Sequence, residues 1–134
     1  MAGPKRTAEA EGGKLVATLW ERIEARDWAA AASVLAPDFR ADWPATRERI
    51  LGRENFIRLQ REYPEPWGPI RVLRLVEGGH LVAAEVSVPG AGQEFRCAGI
   101  YHCRRGLIRE ATEYWITVGG DQPLPGREHL VERI

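Results

Sequence analysis

The second half of the chain is divided by glycine and proline into four strand-like segments. They are Ile70–Val76 before Gly78-Gly79, Leu81–Val88 before Pro89-Gly90, Glu94–Cys103 before Arg105-Gly106, and Leu107–Val118. Extended runs separated by such turn signals predict a meander of long antiparallel strands. The first half has another period. Leu15, Val16, Leu19, Trp20 and Ile23 recur at helical spacing among Lys14, Glu21, Arg22 and Glu24, which predicts an amphipathic helix. Asp27 is the expected cap of a second helix, Trp28–Leu35, stopped by Pro37. Phe39–Trp43 reads as a short strand closed by Pro44, and Thr46 as the cap of a helical turn through Ile50 that Gly52 ends. Arg53–Tyr63 is the third substantial helix, and Pro64, Pro66 and Pro69 make Tyr63–Pro69 a rigid loop carrying Trp67.

Helices first and strands last give an α+β domain, a curved antiparallel sheet with three helices on one face. The chain is 134 residues long, enough for one core. The expected division is a flexible tail over 1–13, a single domain over 14–118, and an extended Pro-containing tail over 119–134 whose Leu130, Val131 and Ile134 are placed to dock on the body. Lys+Arg and Asp+Glu number 19 each, so a basic nucleic-acid footprint is absent. The longest charge-free stretch, Trp28–Pro37, is half the ~20 residues of a membrane span. Met1–Lys14 has no apolar run behind Lys5 and Arg6, so it is not read as a secretory signal, and the cytoplasm is the expected compartment. Cys97 and Cys103 are expected on one strand, ~20 Å apart, which leaves both as free thiols.

The third strand shows its sides. Phe95, Cys97, Gly99, Tyr101 and Cys103 should face the helices, and Glu94, Arg96, Ala98, Ile100 and His102 should face out. The fourth strand alternates without a clean apolar set. A bulge that switches phase would explain it, and the direction of Glu113 stays open.

Local phrases in this order resemble the NTF2-like superfamily, and within it the SnoaL-like, polyketide-cyclase-like small proteins. They are Arg26-Asp27-Trp28 followed by Leu35-Ala-Pro-Asp-Phe39, Gly52-Arg-Glu-Asn-Phe56, Arg61-Glu-Tyr-Pro64, Gly106-Leu-Ile108 and Glu113-Tyr-Trp115. The resemblance runs from about Leu15 to Trp115. It implies a cystatin-like cone, with the sheet wrapped around the helices and an apolar pocket at the open end. It also implies homodimers through the outer sheet face, and enzymes that work without metal or organic cofactor. Isomerases, epoxide hydrolases, dehydratases and cyclases share this fold with proteins that only bind, so the fold does not assign an activity.

Acid–base chemistry on such a scaffold needs a carboxyl or His inside the apolar cavity. Asp42, in Ala41-Asp-Trp-Pro44, and Glu113 are the candidates, with Tyr101 as a hydroxyl that could polarise a carbonyl. Each has a plainer reading: a solvated edge Asp, an outward Glu paired with Arg96 or Arg109, a core Tyr. Isomerase-like relatives carry an acid where this chain has Trp43, and another where it has Gly99; both departures argue against enolate chemistry of that type. Trp43, Tyr63, Trp67 and Trp115 are expected around the cone mouth, where aromatic walls suit a flat apolar ligand. Trp20 fits a buried helix face and is a further candidate for the ligand wall. No His, Cys, Asp or Glu spacing matches a metal site, and no phosphate-binding glycine loop occurs. Two functions follow. One is a cofactorless enzyme of cyclase, isomerase or hydratase type on an apolar, polyketide-like molecule. The other is a binding or carrier module of the same cone.

Overall fold

The structure, a computed structural model, describes residues 3–134, with side chains from Gly12 onward. Helix α1 spans Gly3–Glu24, α2 Trp28–Ser33 and α3 Arg53–Arg61. The strands are β1 Leu35–Trp43, β2 Glu48–Leu51, β3 Arg71–Gly78, β4 Leu81–Gly90, β5 Gln93–Arg104 and β6 Leu107–Thr117. The six strands form one curved, unclosed sheet in the order β2-β1-β6-β5-β4-β3. β3 to β6 make the expected meander. The sheet is mixed rather than wholly antiparallel, because β1 runs parallel to β6.

The helices cover one face. Val16, Leu19, Trp20 and Ile23 of α1 are buried to within 1%, the stripe that helical spacing anticipates. Met1 and Ala2, from the expected tail, lie outside the described residues. Gly12 and Gly13 do not behave as tail: both are helical and buried. A Cβ at Gly12 would press on Val82 at 3.1 Å, and the Cys103 thiol lies 3.8 Å from the Gly12 carbonyl oxygen. The glycine pair is therefore a close approach of helix to sheet, where a side chain would collide.

Three local expectations are corrected. The second helix stops at Ser33, because Leu35 pairs with Ile108 and opens β1. Asp27 does cap it, accepting from the Ala30 N–H at 3.2 Å. Pro37 does not end the helix; it sits inside β1 where the register shifts between Leu35 and Arg40, a place where a missing N–H is tolerated. The segment after Thr46 is strand β2, not a helical turn. Ile50 is buried and pairs with Ala41, while Arg47, at φ 60°, turns the connection.

β5 alternates as expected, with Cys97, Gly99, Tyr101 and Cys103 buried and Ala98 and Ile100 exposed. The phase of β6 changes at a bulge: Cys103 pairs with Ile108, but His102 pairs with Glu110. Ile108 is inward before it, and Ala111 and Glu113 are inward after it. Both cysteines are free and buried. The tail beyond Thr117 is extended with a short 3-10 turn, Glu128–Leu130. It does not dock: Leu130 is 74% and Val131 57% exposed, and Ile134 is fully exposed.

Candidate active site and ligand pocket

A cavity of about 240 Å³ opens at the end of the sheet where β6, β1 and the loop after α3 meet. Trp20, Trp43, Tyr63, Trp67, Phe95 and Trp115 form its aromatic wall, and Leu59, Gln60, Thr46, Ile70, Val88 and Ala45 complete it. Trp20, Trp115 and Trp43 meet edge to face in sequence. Their centroids are 6.2 and 6.4 Å apart, at interplanar angles of 64° and 70°. Such pairs hold ring geometry beyond what burial alone supplies. All five expected ligand residues line this one cavity. Gln60, Thr46 and Phe95 were not singled out from the sequence. Phe95 was legible as an inward residue of its strand; Gln60 carried no signal.

Behind the wall lies Glu113, with 0% exposure. Its Oε2 accepts from the Tyr101 hydroxyl at 2.7 Å. Its Oε1 accepts from the indole N–H of Trp43 at 2.9 Å and of Trp115 at 3.3 Å. Burial raises the Glu113 carboxyl above its ordinary range, and the hydrogen bonds from Tyr101, Trp43 and Trp115 oppose that shift. Burial, with the Glu113 charge beside it, pushes the Tyr101 hydroxyl well above the usual phenol range. The same two causes raise the Cys97 thiol, and burial with Glu77 nearby brings Cys103 up to about 11. Neither thiol has the low-pKa surroundings of a nucleophile.

The strand register explains the contact. Gly99 stands directly opposite Glu113. A Cβ at Gly99 would lie 2.6 Å from ring carbons of Tyr101, so the tyrosine leans back across its own strand over a residue without a side chain. Gly99 is thus what lets a phenol, rather than a second acid, reach the buried carboxyl.

Asp42 goes elsewhere. It stands one position from Trp43 and so on the other face of β1, opposite Arg49, whose Nε and Nη2 donate to it at 2.7 and 3.0 Å. That hydrogen bond is the leading cause of its lowered pKa. The structure does not bring Asp42 to the pocket wall.

The loop carrying Trp67 is tied from both sides. Gly68 N–H donates to the Pro89 oxygen at 2.8 Å, and Ile70 N–H to Glu24 Oε1 at 2.8 Å. Arg26, at φ 59°, lays its guanidinium over the Trp67 ring at 3.6 Å and donates to the Trp67 oxygen at 2.6 Å. Arg26 was read in the sequence only as part of a family phrase; its contact spans 41 residues. Among the described residues, no group of three His, Cys, Asp or Glu side chains could hold a metal ion. No helix among the described residues is long and apolar enough to cross a membrane.

As an arrangement, the site is an apolar chamber with a buried carboxyl–phenol pair behind its indole wall. Neither Glu113 nor Tyr101 lines the cavity. A ligand therefore meets tryptophan carbon first, and feels the carboxyl through it.

The comparisons agree with this architecture. The family model described as the SnoaL-like domain matches residues 16–111. A search of the curated proteins finds no match. Among solved structures, the chain is similar to a protein of Kribbella flavida DSM 17836 provisionally named a ketosteroid isomerase. The two are 32% identical, with 94% of this chain and 91% of that one covered and a TM-score of 0.85. An NTF-2 like protein of unknown function from Burkholderia xenovorans LB400 is 26% identical, over 95% of this chain and 98% of that one, with a TM-score of 0.78. An LEH-like epoxide hydrolase of M. tuberculosis shares the fold at 18% identity, over 81% and 84%, with a TM-score of 0.67. With most of the domain matched by the family model and the cone reproduced in these relatives, the chain belongs to the SnoaL-like family.

Proposed function

We propose that this protein binds a small, flat, largely apolar molecule in the tryptophan-walled chamber. The observation that carries the reading is the chamber itself: about 240 Å³ enclosed by six aromatic side chains, the kind of concave apolar site that takes small ligands. The test is titration with planar aromatic probes, followed by tryptophan fluorescence and calorimetry. Binding that weakens about tenfold or more in Trp67→Ala supports the reading. Absence of saturable binding across polycyclic probes defeats it.

A second reading, a cofactorless cyclase, isomerase or hydratase, is favoured by one observation. The Glu113 carboxyl is fully buried, shifted upward, and 2.7 Å from the Tyr101 hydroxyl, the environment that tunes a carboxyl for proton transfer. It needs Trp43 or Trp115 to move aside on binding. Turnover lost in Glu113→Gln with binding retained would support it. Turnover unchanged in that variant would dismiss Glu113 as the acid–base group.

We further infer a homodimer through the outer sheet face. Ile100, Tyr114 and Ile116 are each about half exposed there and lie on neighbouring strands, around Ala98. Light scattering of the protein and of Ile100→Glu tests this; a monomer at all concentrations rejects it. Two buried free thiols suit a reducing compartment, which supports the cytoplasm.

A further inference from the structure

We propose that the chamber selects ligands bearing a quaternary ammonium group, held against the tryptophans at the Trp20–Trp43–Trp115 end, with Glu113 behind them as the counter-charge. The inference rests on the binding reading above and names the class of ligand.

The first support is an uncompensated acid. Glu113 is wholly buried, and its three hydrogen-bond partners, Tyr101, Trp43 and Trp115, are all neutral. Among the described residues, every ion pair is made by side chains that are substantially exposed, and none includes Glu113. The two indole N–H groups can only donate and the Tyr101 hydroxyl can donate as well, so above the raised pKa of Glu113 the carboxylate keeps all three bonds. A carboxylate in that position lacks a counter-ion, which proteins rarely tolerate without recompense.

The second support is the wall. The indole N–H groups of Trp43 and Trp115 both point at Glu113 Oε1. Their positive edges are thereby spent on the anion, and the ring faces keep the negative potential that attracts cations. The steep angles between Trp20, Trp115 and Trp43 set those rings as successive walls of a box. The third support is the shortage of polar partners. The Thr46 hydroxyl is already bonded to Glu48 at 2.6 Å, leaving Gln60, Tyr63 and the indole N–H groups of Trp20, which has no hydrogen-bond partner, and Trp67 as polar groups of the lining; an indole N–H offers a cation no acceptor. A primary ammonium or a metal ion would lose water there and gain few hydrogen bonds. A quaternary ammonium has no N–H bonds to lose.

The chamber is also polarised. Arg26 stacks on Trp67 while paired with Glu24 at 3.4 Å. A cationic ligand head is therefore directed away from Trp67 and toward the end backed by Glu113.

The experiment compares benzyltrimethylammonium with its uncharged isostere neopentylbenzene, in weakly alkaline buffer, by tryptophan fluorescence and calorimetry. The wild-type protein should bind the cation about tenfold more tightly. Glu113→Gln should abolish that preference. Equal or tighter binding of neopentylbenzene by the wild-type protein overturns the cation proposal and leaves the binding reading standing. Failure of both probes overturns both. A preference that survives unchanged in a folded Glu113→Gln protein overturns the part assigned to Glu113. Should that variant not fold, the wild-type ratio decides alone.

Discussion

Among the described residues Glu113 is the acid whose carboxyl is raised by burial, so replacing it by Gln should change how stability depends on pH. The carboxyl is raised above its unfolded value of 4.5 by burial. The folded chain therefore keeps a proton that the unfolded chain releases as pH climbs. Glu113's contribution to stability is fully present below the unfolded pKa. It falls by about 1.4 kcal/mol per pH unit between the unfolded and folded values, and levels off above the folded one. Gln keeps the shape and can still accept from Trp43 and Trp115 through its one oxygen, while its amide donates to Tyr101. It carries no titration. The assay is urea denaturation of both proteins over a pH series, read as the difference in unfolding free energy. Asp42, Glu62 and Glu94 have lowered pKa values and lose stability as pH falls, but they do so in both proteins and cancel. The variant should gain on the wild type steadily as pH rises out of the acid range. Parallel curves would mean a carboxyl with the same pKa folded and unfolded, and would refute the burial argument. A gap that opens in the opposite sense would mean that the three donors outweigh desolvation.

Other substitutions probe the surroundings. Gly99→Ala should cost about 1–3 kcal/mol by driving Tyr101 off Glu113, seen as a lower thermal midpoint and a changed near-ultraviolet tyrosine signal. Arg26→Ala removes the stack and the hydrogen bond that hold Trp67, and should weaken aromatic-probe binding several-fold with little loss of stability; equal binding would show that the loop holds itself. Asp42→Asn breaks an exposed ion pair, so its stability should change by less than about 1 kcal/mol, and a larger loss by denaturant titration would contradict its placement. Deleting residues 121–134, whose large apolar side chains are exposed, should leave the thermal midpoint within about 2 °C.

The sequence showed what repeats along a single element and concealed what depends on a neighbour. The inward face of β5 follows from alternation alone, and the buried stripe of α1 from spacing alone. Glu113, Tyr101 and Trp115 could be grouped because adjacent long strands bring such residues face to face. The direction of Glu113 could not be read, because it is fixed by the bulge at His102/Cys103, and a bulge is a property of two paired strands. β2 was hidden for a similar reason: four residues with a single buried position, Ile50, carry no period, and only pairing with Ala41 defines them as a strand. The indole of Trp43 was placed near the mouth, but its bond to Glu113 crosses 70 residues and belongs to the parallel β1–β6 contact, which nothing local announces. Asp42 went to Arg49 because the hairpin set them opposite each other.

That parallel pairing has a consequence for biosynthesis. β6 lies between β1 and β5 in the sheet, so while it is still inside the ribosome the emerged chain holds two fragments, a β1–β2 hairpin and a β3–β5 meander, with no strand to join them. Trp20, Trp43 and Trp67 are all translated before Glu113 and Trp115, and wait as exposed aromatic surface. Collapse to the finished cone is a late step that needs contacts far apart in the chain, the kind that form slowly and leave sticky intermediates. Nascent chains stalled before Leu107 should therefore be the species that chaperones hold longest.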